Sequence, residues 1–193
     1  SSGGGFASLI QAATNPGSTA VVANAQTDIL RYHQQHVRNY LKLAWNDDRD
    51  KFIESVEFSV LRAFRESENH PKVVYMQNST DTFHIEGHLN PFLNSCQVAS
   101  DAYLLVGNWG QGHVPPPKNI MHGALQAVVQ NNYSELNHLG FEDLIAKIFI
   151  DCFVMFGGLR PSWHLRKGLR VNLVVKCIQE RLRQPFWIHR SDK

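Results

Sequence analysis

The chain has 193 residues, 43% hydrophobic and 19% charged, with a formal net charge of +2. That composition is globular and excludes disorder over most of the length, and the length suits one domain with a sizeable core. No apolar run reaches the ~20 residues of a membrane span; residues 144–156 come closest and contain Lys147 and Asp151, so no membrane partner is expected. Cys96, Cys152 and Cys177 are few, odd in number and far apart. They argue against a disulfide framework and for a reducing, intracellular compartment, cytoplasmic or nuclear. Asn78-Ser79-Thr80 and Asn132-Tyr133-Ser134 match the glycosylation acceptor pattern, as chance matches do in an Asn-rich chain.

At the front, Ser1-Ser2-Gly3-Gly4-Gly5 reads as a flexible linker, and the chain as a piece of a longer protein. Residues 1–26 are expected to form a tether with at most a short helix, ended by Pro16-Gly17. From Thr27 or Asp28, the residues Leu30, His33, Val37, Tyr40, Leu41, Ala44 and Trp45 recur at helical spacing. Asp47 or Asp48 caps a second helix through Phe52, Val56, Val60 and Phe64, which stops before Pro71. KVVYMQ and DTFHIEGHL are rich in strand formers and flank Asn78-Ser79-Thr80, which predicts a β-hairpin over 72–88.

A helix is expected over 92–107, then an irregular loop, GNWGQGHVPPP, and another helix over 118–130. FEDLIAKIFIDCFVMFGG at 141–158 is apolar on nearly every side, the pattern of a central core helix over 141–156. After it comes a helix apolar on one side and basic on the other. The expected fold is mainly α: a compact bundle of about six or seven helices with one small hairpin. A single domain would span 27–187, with a tail at 188–193.

Ten histidines raise the question of a metal site. On a strand, His84, Glu86 and His88 would share one face, and two histidines with a carboxylate can bind zinc or iron. Neither the order required by the helical zinc-protease motif nor the Pro-Cys-x-x-Cys partner of the nucleobase deaminases is present. An exposed polar strand face is the competing reading. His33 and His36, three apart on a helix, are read as core-edge residues. Gly107-Asn108-Trp109-Gly110-Gln111-Gly112 is rich enough in glycine to cradle a phosphate, but it lacks the P-loop Lys-Ser/Thr and follows a helical pattern. Trp109 is read as an anchor, onto its own core or into a partner.

Charge is unevenly distributed. From Arg160 onward nine basic residues face two acidic ones, a local +7 that leaves −5 for residues 1–159. Arg160, Arg166, Lys167, Arg170, Lys176, Arg181 and Arg183, with Trp163 and Trp187, give a basic surface ending in aromatics. Such a surface suits first an acidic protein partner or a second copy of the chain and then a nucleic-acid backbone, with a solvated face neutralised by Asp47, Asp48, Asp50 and Glu54 as the competing reading. The expected function is a non-catalytic interaction or scaffold domain binding an acidic partner or self-associating as a homodimer. RNA or DNA binding through the same face is the first alternative, and a metal-dependent enzyme at His84, Glu86 and His88 the second. No catalytic residue, metal or cofactor is assigned.

Overall fold

A computed structural model describes residues 1–68, 71–94 and 102–144. Their frame is a four-stranded sheet in the order β1 (Thr19–Ala23), β2 (Lys72–Asn78), β3 (Ala102–Gly107), β4 (Glu142–Asp143). β1, β2 and β3 run parallel, with Val22 opposite Tyr75 and Tyr75 opposite Leu104; β4 adds antiparallel to β3. The sequences TAVVA, KVVYMQN and AYLLVG are short continuous apolar runs, as befits parallel strands covered on both faces.

Pleating sends alternate residues to opposite sides of the sheet. On one side Ala20, Val22, Val73, Tyr75, Ala102 and Leu104 meet Leu9, Ala12 and Ala13 of α1 (Ser2–Thr14), Val60 and Phe64 of α4 (Val60–Glu66), and Leu89 and Phe92. On the other side Ala23, Val74 and Met76 meet Ala124 and Ala127 of α7 (Lys118–Val129) and Leu136 of α8 (Ser134–His138). Helices α2 (Gln34–Trp45) and α3 (Arg49–Ser55) lie in the connection from β1 to β2. The connection from β2 to β3 opens with a continuous helical segment: α5 (Thr82–His84), a π-helical turn (Ile85–Leu89) and α6 (Asn90–Leu93).

The expected helical bundle is therefore corrected to an α/β architecture. A parallel strand buried on both faces has no polar alternation, so Ala102–Gly107 fits a helical template as well as a strand one. The hairpin over 72–88 is not formed. Its first strand exists as β2, but β2 pairs with β1 and β3, which are distant in sequence. Asn78-Ser79-Thr80 leads instead into α5, where the Asp81 carboxylate accepts the His84 N–H as a helix cap. The expected helix over 92–107 ends at Leu93, and Ala102–Gly107 is β3.

The glycine-rich start is not a tether. Ser2 to Thr14 form α1, and Thr19 to Ala23 form β1. Gly5 is needed there, because a Cβ on it would fall 2.6 Å from the Ala25 Cβ. The helices expected within 27–69 are present but broken by a 3-10 turn at Ile29–Arg31 and by an interruption at 56–59. The helix expected over 118–130 is α7. Glu142–Asp143, expected near the start of the core helix, is β4, and residues 145–156 of that expected helix lie outside the described residues.

Candidate functional site

The three parallel strands end side by side at Ala23, Asn78 and Gly107, and two buried asparagines tie their outgoing loops together. Asn24 Oδ1 accepts the Asn78 backbone N–H at 2.7 Å, while Asn24 Nδ2 donates to the Val114 carbonyl at 2.8 Å. Asn78 Nδ2 donates to the carbonyls of Gly110 and Gly112 and to Thr80 Oγ1, and its Oδ1 accepts from the Trp109 N–H. Thr80 Oγ1 takes the Gly112 N–H at 2.9 Å and donates to the Gly110 carbonyl. Gly110 and Gly112 adopt positive φ (130° and 78°), a backbone that favours glycine. The loop after β3 is thus fixed against the loop after β2 by a connected polar network.

That network places His113, from the β3 loop, beside Asp81, from the β2 loop. His113 Nδ1 lies 2.6 Å from Asp81 Oδ2, and His84 Nδ1 lies 3.0 Å from Asp81 Oδ1. The two imidazoles lie 4.2 Å apart between centroids, 31° from parallel. Asp81 and His84 are buried, whereas the His113 side chain is 40% exposed. A buried carboxylate accepts from both rings, which puts the proton of neutral His84 on Nδ1 and leaves Nε2 with its lone pair. Burial by itself would raise the Asp81 pKa, but hydrogen bonds from His113 and His84 outweigh it and hold the group ionised. For His84, burial outweighs the stabilising Asp81 carboxylate and keeps the ring neutral to lower pH than usual.

His88 follows one turn later, its ring 5.3 Å from that of His84. Its Nδ1 accepts the Thr27 backbone N–H at 3.2 Å, and Thr27 Oγ1 donates to the His88 carbonyl. The His88 proton therefore sits on Nε2. Burial pushes its pKa down to about 4. Tyr32, His33 and Phe83 complete an aromatic surround, with His33 stacked on Phe83 at 4.0 Å.

Asp81, His84 and His113 bring three metal-ligating atoms within 4.8 Å of one another. The separations of 2.6 and 3.0 Å are hydrogen-bond lengths. Tetrahedral zinc with bonds of ~2.0–2.1 Å spreads its ligand atoms to about 3.3 Å. Coordination through His84 Nδ1 would also leave a buried Nε2–H without the acceptor that a metal-bound histidine normally has. The arrangement suits acid–base chemistry better than metal binding.

The expected trio of His84, Glu86 and His88 does not converge. These residues lie on a helical segment and not on a strand; Glu86 is exposed, and His88 Nδ1 is occupied by Thr27. His33 and His36 are exposed on the protein, not at its core edge, although the His33 ring joins the surround of His84. Trp109 packs half-buried against the cluster of Val74 and Met76. Arg160, Trp163, Arg166, Lys167, Arg170, Lys176, Arg181, Arg183 and Trp187 lie outside the described residues. Asp81 and His113 escaped the sequence reading. Asp81 had a local signal as a cap three residues before His84, while His113, 32 residues further on, had none.

No family model matches the chain, and no curated protein or solved structure does so either. Among the described residues no helix is long and apolar enough to cross a membrane.

Proposed function

We propose that the protein is an enzyme acting on a small molecule, with His84 as general base held in its working tautomer by Asp81. The observation that carries this reading is where the pair sits. The chain leaving β2 enters helices on one face of the sheet, and the chain leaving β3 reaches α7 on the other. Adjacent parallel strands whose connections part to opposite faces open a crevice at their carboxyl ends, the usual ligand position in open α/β sheets. Asp81, His84 and His113 come from the two loops that border it.

A histidine oriented through Nδ1–H by a buried carboxylate, with Nε2 unprotonated, is built to take a proton. No described serine, threonine or cysteine side chain hydrogen-bonds His84 Nε2. The base therefore acts on water or on a hydroxyl of the substrate, and the reaction class is hydrolysis or transfer. The test is turnover of a panel of chromogenic esters, phosphoesters and glycosides by wild type and His84→Gln. Loss of a base of this kind lowers kcat by ~10²–10⁴-fold, and wild-type kcat should fall on the acid side as His84 protonates. Turnover that the substitution leaves unchanged would overturn the reading.

A further inference from the structure

Besides Trp45 Nε1, three buried side-chain atoms among the described residues lack a hydrogen-bond partner: Gln77 Oε1, His84 Nε2 and His88 Nε2. Gln77 and His88 are fully buried and His84 is 3% exposed. Leaving such an atom unpaired is costly, so three within twelve residues ask for a common explanation. Gln77 ends the face of β2 that carries Tyr75, the side on which Leu89 and Phe92 of the histidine-bearing segment pack. All three therefore belong to one side of the sheet at its carboxyl end.

Their hydrogen-bonding senses are fixed by the partners they do have. Gln77 Nε2 donates to the Asn78 carbonyl, so Oε1 is the free acceptor. His84 gives its proton to Asp81, so Nε2 is a second acceptor. His88 receives the Thr27 N–H on Nδ1, so Nε2–H is a donor. An anion would set its lone pairs against the first two atoms. A metal would need a lone pair on His88 Nε2, which that tautomer removes. A hydroxyl both donates and accepts, and it answers the histidine pair with one group.

We propose that the site takes an uncharged, hydroxyl-rich small molecule, a sugar or other polyol, with one hydroxyl donating to His84 Nε2 and accepting from His88 Nε2–H. Gln77 Oε1 receives a neighbouring hydroxyl. The proposal rests on the reading of His84 as a base and names what it acts on: the hydroxyl bound there is the one whose proton it takes. His113, tilted against His84 and part exposed, borders the site on its solvent side.

The test is two-bond ¹H–¹⁵N spectroscopy of the imidazoles in the whole chain, with D-ribose, D-glucose, glycerol, inorganic phosphate and zinc chloride as separate probes. At least one polyol should shift both the His84 and the His88 Nε2 resonances saturably. His88→Gln and Gln77→Met, each verified as folded by its spectrum, should weaken that response about tenfold or more, the loss of one buried hydrogen bond. If His88→Gln does not fold, Gln77→Met decides alone. Shifts with phosphate or zinc but no polyol, or with no probe at all, would overturn the proposal. The same spectra separate the two readings. A His84 protonated on Nε2 in the free protein defeats the base, whereas the stated tautomers with silent polyols defeat only the ligand class.

Discussion

Among the described residues, the buried His88 imidazole makes the protein's stability sensitive to acid. An unfolded His88 binds a proton near its ordinary value of 6.5, but the folded protein refuses it until about pH 4. Between those values the unfolded state holds more protons, so stability falls as pH is lowered from 6.5 and levels off for this residue below 4. A separation of that size corresponds to roughly 3 kcal/mol at the acid end. His84, also lowered, acts in the same direction, and Asp81, lowered from 3.8, adds a further loss below that value. Urea unfolding at pH 7 and pH 4.5 should show a clear drop in midpoint. His88→Gln, which keeps an acceptor for the Thr27 N–H but cannot protonate, should shrink that drop.

At the scale of elements, the two asparagines decide where the loops go. Removing the Asn78 side chain strands the Trp109 N–H and takes one of two partners from each of the Gly110 and Gly112 carbonyls, so Asn78→Ala should cost about 1–3 kcal/mol in denaturant unfolding. Asn78→Asp should cost more, because it sets a carboxylate oxygen against two carbonyl oxygens. Strand formers at 72–77 and helical spacing over 118–130 are legible in the sequence, and β2 and α7 stand there, though β2 is not the first strand of a hairpin. The glycine-rich run at 107–112 lacks the P-loop Lys-Ser/Thr and follows a helical pattern in sequence, yet it is a strand, β3, that ends at Gly107. Which strand neighbours which depends on contacts between Val22, Tyr75 and Leu104, and no local pattern records them.

For the whole molecule, the largest revision concerns the first 26 residues. They supply Leu9, Ala12, Ala13, Ala20, Val22 and Ala25 to the core, and Asn24 to the site network. A chain beginning at Thr27 should therefore lose cooperative unfolding and amide dispersion, whereas removing a mere tether would change neither; a proton–nitrogen correlation spectrum distinguishes the outcomes. The candidate site was legible only in part for the same reason. His84 and His88 stood out as a pair, but Asp81 meets His113 across 32 residues because β2 and β3 are neighbours. A search by sequence spacing finds ligands that share an element and misses those that share a sheet edge.

The π-helical turn at Ile85–Leu89 joins two tasks along one short segment, the site residues Asp81 and His84 before it and His88 within it, and the core residues Leu89 and Phe92 at and beyond its end. Its Asn90 N–H reaches back to the Ile85 carbonyl, one residue further than in an α-helix. Loss of the single codon for Gly87, which has no neighbour within 4 Å of a Cβ position, would restore ordinary winding. With Leu89 and Phe92 held in the core, the Asp81–His84 turn would keep its orientation, because a π-helical turn fits one extra residue into nearly the rotation of an α-helical one. The expected phenotype is a protein that still melts cooperatively in calorimetry and whose His84 keeps Asp81. The extra residue would be erased at the level of the gene while the fold and the Asp81–His84 pair both survive.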